Sequence, residues 1–274
     1  MSQVSAPVER SVRRVRHETK RRLLQVREVS RITPKMLRLV LGGDELAGFV
    51  SAAHDDHVKL FFPHPGEDKP ALPAQGPNGP VYADGVPPPA RDYTPRRYDA
   101  AANALTIDFV LHGDGPATSW AAQAQPGHFL GVGGPRGSFI VPDDFDWYLF
   151  AGDESALPAI GRRLEELPVG ARAVAVIEVA DAGEEQRLTS RAQLDVRWLH
   201  RNGAAPGETS LLRDAIAGLS LPPGEGYAWA AAEAATAKAL RRHLVDERGV
   251  RKDRVKAAAY WKRGAVAVHE TYDD

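Results

Sequence analysis

The rhythm of hydrophobic and polar positions changes part-way along the chain. Up to about residue 142 the apolar positions come in short alternating or β-rich runs, at 24–29, 36–41, 57–62, around Arg91, and at 105–111, 129–132 and 138–141. Turn residues such as Gly42, Gly43 and Pro63 close several of them. Short strands at close spacing without intervening helices predict an antiparallel barrel or sandwich. Beyond Pro142 the runs at 147–150, 173–177, 196–199, 227–230 and 257–260 read as buried strands, and helical patterns over 157–167, 210–217 and 233–248 lie between some of them. Gly249 stands where the last of these helices needs a C-cap. Strands alternating with helices predict a parallel sheet. The expected architecture is therefore β plus α/β: an antiparallel six-stranded-type β-barrel over 23–142, then a parallel α/β nucleotide-binding-like domain over 143–274.

Two segments stand outside this pattern. Residues 1–22 are polar and carry Arg10, Arg13, Arg14, Arg16, Lys20, Arg21 and Arg22. Such a run can be an arm for nucleic acid or lipid, but the whole chain has net charge −1, so a solvated tail is expected. Residues 63–90 hold nine prolines and little periodicity, which predicts a long loop.

Composition narrows the chemistry. The 274 residues, 43% of them hydrophobic, suffice for one large domain or two small ones. There is no cysteine, which excludes disulfides, thiolate nucleophiles and cysteine-held iron–sulfur clusters. Redox work would need an organic cofactor or a metal held by nitrogen and oxygen. No apolar run approaches the roughly 18 residues of a membrane span, and no signal-peptide core follows the start. A cytoplasmic protein with no nucleic-acid or membrane partner is expected. His54 and His57 resemble a metal pair only superficially: on a strand they face opposite sides and no fourth ligand follows. His269 and Glu270 lack the second histidine of a zinc protease motif.

The chemistry centres on Arg91, Asp92, Tyr93 and Thr94. On an extended segment Arg91 and Tyr93 project to one face, and a guanidinium beside a flat ring suits a ligand carrying a phosphate and an aromatic system, as a flavin nucleotide does. The plainer alternative is a surface strand in which Tyr93 packs and Arg91 pairs with Asp92. Further on, a strand containing Asp108 and Val110 runs through His112 into Gly113, Asp114, Gly115 and Pro116. The glycines allow a tight turn and Pro116 suits a first helical position. Unpaired amides of Ala117, Thr118 and Ser119 would then form a pyrophosphate site, unless this is an ordinary turn capped by Asp114.

Five motifs in one order give the chain a resemblance. Arg91-Asp-Tyr-Thr, the run from Asp108 to Ala117, Gly134-Pro-Arg-Gly-Ser138, the run from Ala151 to Ile160, and Tyr260-Trp-Lys-Arg-Gly264 resemble the siderophore-interacting protein family. The likeness runs from about Leu23 to Gly264. It implies an FAD-dependent ferric-siderophore reductase, distantly related to ferredoxin–NADP reductases. It further implies that Arg91, Tyr93 and Thr94 contact the flavin, with Tyr93 against the ring. Asp108, Val110 and His112 would line the cofactor, Gly115, Ala117, Thr118 and Ser119 would hold its pyrophosphate, and Trp261 would belong to the cofactor set. Asp153, Glu154 and Ser155, after the first α/β strand, mark the place for NAD(P)H or for docking ferredoxin as another donor. A helix N-cap by Asp153 or Ser155 is the competing reading. Lys59, Arg136 and Lys262, with Arg263 as a stand-in, would form a basic patch for an anionic ferric siderophore. No catalytic acid or base is required, no resident metal is implied, and a monomer is expected. A general flavin reductase of the ferredoxin–NADP-reductase type, and a flavin-free siderophore-binding protein, remain alternatives.

Overall fold

A computed structural model describes residues 10–265 apart from 77, 78, 83 and 84, and residues 270–272. The first strands are β1 (Arg13–Arg16), β2 (Arg21–Thr33), β3 (Met36–Gly42) and β4 (Val58–Phe61). A small hairpin, β5 (Ala74–Gly76) and β6 (Gly79–Val81), sits in the proline-rich loop. There follow β7 (Ala90–Tyr93), β8 (Arg97–Asp99), β9 (Ala104–Val110), helix α1 (Pro116–Ala122), β10 (Phe129–Gly133) and β11 (Gly137–Ile140).

Seven of these strands form one antiparallel sheet in the order β7-β4-β10-β2-β3-β9-β8. Laid flat, its edges would stand about 29 Å apart at about 4.8 Å per strand. Edge strands β7 and β8 are joined by Thr94, Pro95 and Arg96 alone, and four residue steps span at most about 14 Å. The sheet must therefore curl until its edges adjoin, which makes the expected barrel. It has seven strands, one more than the six-stranded type, because Arg97–Asp99 adds a short edge strand. Inside lie Leu24, Leu39, Leu41, Leu60, Ile107 and Leu130, all fully buried, at alternating positions of their strands.

Two sequence expectations need correction here. The run 138–141 does not finish the barrel: β11 pairs with β1 in a separate ribbon, Arg13 opposite Ile140 and Arg16 opposite Gly137. By the same pairing the basic N-terminal run is not a free tail. The ladder occupies the backbone of residues 13–16, and Val12 and Phe139 pack on the core of the following domain. Residues 1–9 of that run lie outside the described residues.

The second half contains β12 (Trp147–Asp153), α2 (Leu157–Glu166), β13 (Arg172–Val179), β14 (Gln193–His200), α3 (Leu211–Ala217), β15 (Gly226–Glu233), α4 (Ala234–Arg242), β16 (Val255–Trp261) and β17 (Glu270–Tyr272). The strand order is β14-β13-β12-β15-β16-β17, parallel except for the last. The order reverses between β12 and β15, so a ligand crevice is expected outside their carboxyl ends. Gly152 permits the close approach there, since a Cβ on it would stand 2.5 Å from both the Ala231 carbonyl oxygen and the Ala156 methyl. The helix after β15 ends in a π-turn, His243–Glu247, and Gly249 takes the left-handed conformation (φ 68°) expected of a C-cap glycine. Strand β17 was not evident from the sequence, and His269 beside it lies outside the described residues.

The halves share a polar and apolar junction. Met36, on the β2–β3 hairpin, is buried in the α/β core, and Glu184 accepts from Thr33 Oγ1 (2.6 Å) and the Lys35 amide (3.0 Å). His54 lies edge-on to Trp229 (5.4 Å) and Phe150 (6.0 Å), where burial pushes its imidazole down to about 3 and keeps it neutral. From α2, Arg162 donates to Ser51 Oγ (2.7 Å), Ser51 O (3.0 Å), Pro95 O (2.9 Å) and Glu166 (2.7 Å). Replacing Arg162 by Met strips buried acceptors of their donor. The expected cost is about 2–4 kcal/mol, read as a lower urea midpoint; an unchanged midpoint would show that this tether is not part of the stable frame.

Candidate functional site

The Arg91 strand pairs with β4, placing Val58 opposite Tyr93, Lys59 opposite Asp92 and Leu60 opposite Arg91. Arg91 and Tyr93 thus share a face, as the alternation predicts. The alternative pairing of Arg91 with Asp92 is not found: Asp92 accepts from Lys59 Nζ at 2.7 Å, while Arg91 Nη1 donates to the Ala90 carbonyl. The Tyr93 ring lies against Phe109, centroids 4.5 Å apart, and burial raises its phenol pKa. Thr94 is buried, and its hydroxyl bonds the Tyr260 phenol, which donates to Asp55 (3.1 Å). Asp55 is paired in turn with Lys256.

Asp108 departs from the cofactor role. Its carboxylate is buried, receives both Nε and Nη2 of Arg38 at 2.7 Å, and stands 3.8 Å from Arg96 Nε. Arg96 continues to Glu165 on α2 at 2.9 and 2.5 Å. Asp108 orients arginines at the junction, and no face of it is left for a ligand. Arg38 and Asp108 are direct partners across the β3–β9 ladder, a register that the sequence could not supply; the only sign was a charge inside each of two apolar runs.

The turn into α1 matches the pattern more closely. Pro116 is the first helical residue behind an N-cap at Gly115, and Asp114 makes no side-chain cap. Gly113 is left-handed (φ 55°), and nothing lies within 4 Å of where a Cβ would stand on Gly113 or Gly115. Ser119 departs from expectation, since its amide already donates to Gly115 O at 2.9 Å. The Thr118 hydroxyl bonds His112 O (2.9 Å) and Ser119 Oγ reaches Asp114 O (3.4 Å), so these side chains brace the turn. His112 Nδ1 meets its own strand at Val110 O, 3.1 Å away.

A cleft of about 470 Å³ runs between the two halves. Val110, His112 and Gly113 form its barrel side, with Lys35 beside them, and Glu154, Asp181, Glu184 and Arg201 form its α/β side. Arg201, missed in the sequence, is buried between Glu154 and Glu178. Asp153 does not open into solvent: Ser155 donates to it through N (2.9 Å) and Oγ (2.5 Å), and Trp261 Nε1 donates at 2.8 Å. Trp261 therefore serves as a partner of Asp153 through its indole N–H. Neither Asp153 nor Ser155 is the helix N-cap, which is Ala156 without a side-chain bond. Burial first, and the Glu154 charge second, push the Asp153 carboxyl up to about 6.

Among the basic residues, Lys59 is tied to Asp92 and Arg263 to Glu208 (3.1 Å), whereas Arg136 and Lys262 are exposed. Their segments adjoin. Lys59 is opposite Gly133, three residues before Arg136, and Tyr260, two residues before Lys262, bonds Asp55 in the loop ahead of β4.

A family model described as siderophore-interacting FAD-binding domain matches residues 25–139, and one described as siderophore-interacting protein matches residues 145–264. The NADPH-dependent ferric-chelate reductase of Escherichia coli is 39% identical over 251 residues, covering 90% of this chain and 95% of the relative. The chain belongs to the siderophore-interacting protein family. Within that family, the ferric vibriobactin reductase ViuB of Vibrio cholerae is 36% identical over 256 residues, 91% of this chain and 93% of the relative. A siderophore utilization protein from T. fusca superposes with a TM-score of 0.87 at 47% identity, over 95% of this chain and 98% of that one. SipS, a siderophore-interacting protein from Aeromonas hydrophila, gives 0.75 at 30% identity over 92% and 94%. A ferredoxin reductase of carbazole 1,9a-dioxygenase shares the fold at a TM-score of 0.63 and 14% identity, covering 86% of this chain and 66% of that one.

FAD fits the residues present. Arg91 offers a guanidinium with one bond to its own backbone, the open faces at Gly113 and Gly115 leave room for a pyrophosphate, and the α1 end points the first helical amides outward.

The raised Asp153 pKa has a consequence for this family member. The native state holds the proton more tightly than the unfolded chain, so the contribution is fully present below about pH 4 and is lost as pH rises through about 6. Asp153→Asn should therefore gain on the parent by about 2–3 kcal/mol between pH 4 and pH 7 in urea unfolding. A pH-independent difference would contradict the assignment.

Proposed function

We propose that the protein is an FAD-dependent ferric-siderophore reductase that draws electrons from NADPH. The observation that carries this reading is the FAD-domain match over 25–139, which contains both the Arg91 strand and the open glycine turn of α1. The names of the Escherichia coli and Vibrio cholerae relatives support the reaction and, for the first, the donor. Overall, one NADPH gives a hydride and leaves as NADP⁺; two ferric ions each take one electron, and one proton is released. A bound flavin supplies the conversion of a two-electron hydride into single electrons. Ferric iron is held tightly by hard oxygen ligands and ferrous iron much less so, and one electron releases it.

The chain's own part is position and charge. Arg91, Ala117 and Thr118 hold the pyrophosphate, and Tyr93, Val110 and His112 border the ring. Lys35 is the cation of the interdomain cleft that faces the donor's phosphates, since Arg201 beside it is already held by Glu154 and Glu178. Arg136, Lys262 and Lys59 attract an anionic ferric siderophore, with Lys59 the weakest because Asp92 already neutralises it.

The deciding experiment is anaerobic absorption spectroscopy of the FAD-loaded protein. NADPH should bleach the flavin bands, and a ferric siderophore should restore them while ferrous iron accumulates. Bands that bleach only with reduced ferredoxin would move the donor; no FAD uptake at all would overturn the reading. Converting Lys59, Arg136 and Lys262 together to Gln should raise KM for an anionic ferric siderophore by about tenfold, with Arg136→Gln alone exceeding Lys59→Gln. An unchanged KM in the triple variant would remove these residues from the substrate site.

A further inference from the structure

A chain of polar groups crosses the junction beside the Arg91 motif, and neither half of the molecule supplies it alone. Asp55 stands in the loop ahead of β4, Thr94 in the turn that closes the barrel, and Lys256 and Tyr260 on β16 of the α/β sheet. Lys256 Nζ lies over the Phe139 ring, 4.0 Å from its centroid, and pairs with the Asp55 carboxylate. Tyr260 donates to Asp55 Oδ1 at 3.1 Å, and the Thr94 hydroxyl bonds the same phenol. Trp229 meets the Tyr260 ring edge-on at 6.0 Å and holds it in this place.

The direction of each hydroxyl proton follows from the charged end of the chain. Burial opposes ionisation of Asp55, but the Lys256 charge, with the hydrogen bonds from Lys256 and Tyr260, more than offsets it. The carboxyl is held below the ordinary carboxylate range. An ionised carboxylate only accepts, so the single phenol proton of Tyr260 goes to Asp55. Burial first, and the Asp55 charge second, raise that phenol well above its ordinary pKa, so the proton stays on Tyr260. The phenol oxygen is left as an acceptor, and the Thr94 proton is directed to it. Thr94 has one proton, so towards any third partner its oxygen presents lone pairs alone. Without the Tyr260 phenol the same hydroxyl would be free to turn and donate.

We propose that Tyr260 and Asp55 are positioning residues that fix Thr94 as an acceptor, so that the protein favours reduced over oxidised flavin. The proposal rests on the reductase reading, in which Thr94 follows Tyr93 in the motif against the flavin. Reduction adds a ring N–H where the oxidised ring system has a nitrogen lone pair. An acceptor-only hydroxyl bonds the first and repels the second. One hydrogen bond made or lost is worth up to about tenfold in the affinity ratio of the two forms. Because Asp55 and Thr94 come from the barrel and Tyr260 from the α/β half, this bias exists only in the docked molecule.

The test is the flavin midpoint potential of the FAD-loaded protein, read by equilibration with a reference dye. Tyr260→Phe keeps the ring against Trp229 and leaves the Asp55–Lys256 pair in place. It should lower the preference for reduced flavin about tenfold, a fall of about 30 mV for a two-electron couple. Thr94→Val, which removes the hydroxyl, should also lower the potential, and adding Tyr260→Phe to it should change nothing further. Equal falls for Tyr260→Phe in both backgrounds would show that Tyr260 acts by packing and would overturn the proposal. If Thr94→Val lowers the potential while Tyr260→Phe leaves it unchanged or raises it, the proton direction is not the cause and only this inference fails. If Thr94→Val also leaves it unchanged, Thr94 is no flavin contact and the proposal falls while the reductase reading stands. A parent protein that takes up no FAD overturns both.

Discussion

Thr94, Pro95 and Arg96 join the two edges of a seven-stranded sheet, and this short closure governs much of the molecule. Three residues cannot bridge a flat sheet, so the sheet curls and encloses its leucines. The same three residues then meet the second half. The Thr94 hydroxyl bonds Tyr260, the Pro95 carbonyl accepts from Arg162, and Arg96 links Asp108 on the barrel to Glu165 on α2. A turn that closes one domain is therefore also the hinge pin of the junction. Its immediate predecessors, Arg91 and Tyr93, belong to the motif proposed to contact FAD, so fixing the turn fixes that motif's place on the barrel edge.

Charge is distributed unevenly across that junction. At the carboxyl ends of the parallel strands the buried carboxylates Asp153, Glu178 and Glu233 are each satisfied by local donors: Ser155 and Trp261, Thr209 and Arg201, and the α4 amides respectively. These groups stabilise the crevice architecture and are not available to a ligand. Arg136 and Lys262, by contrast, are exposed and meet no carboxylate among the described residues.

Much of the fold was legible because the hydrophobic period changes from two to alternating strand and helix at one place in the chain. The turn into α1, proposed here to hold FAD, was legible because Pro116, Gly113 and Gly115 carry backbone constraints that hold wherever the chain folds. What escaped the sequence depended on long-range register. Nothing local says that Arg16 will stand opposite Gly137, so the basic run resembled a tail. Nothing local says that Arg38 will meet Asp108, so Asp108 resembled a ligand contact when it is a buried counter-ion. Ser119 was misplaced for a smaller reason: in a helix that starts at Pro116 it is the fourth residue, whose amide makes the first intrahelical bond and is already spent on Gly115.

Cofactor binding should depend on the closing turn even where the turn's side chains meet only protein. Titration of FAD into the flavin-free Arg96→Met protein measures this most directly, because Arg96 is bonded to Asp108 and Glu165 while Asp108 keeps both of its bonds to Arg38. An FAD affinity lower by about tenfold, equivalent to about 1.4 kcal/mol, with native secondary structure retained, is the expected result. An unchanged affinity would mean that the Arg91 motif and the α1 turn hold FAD independently of the junction, and would contradict the dependence drawn here.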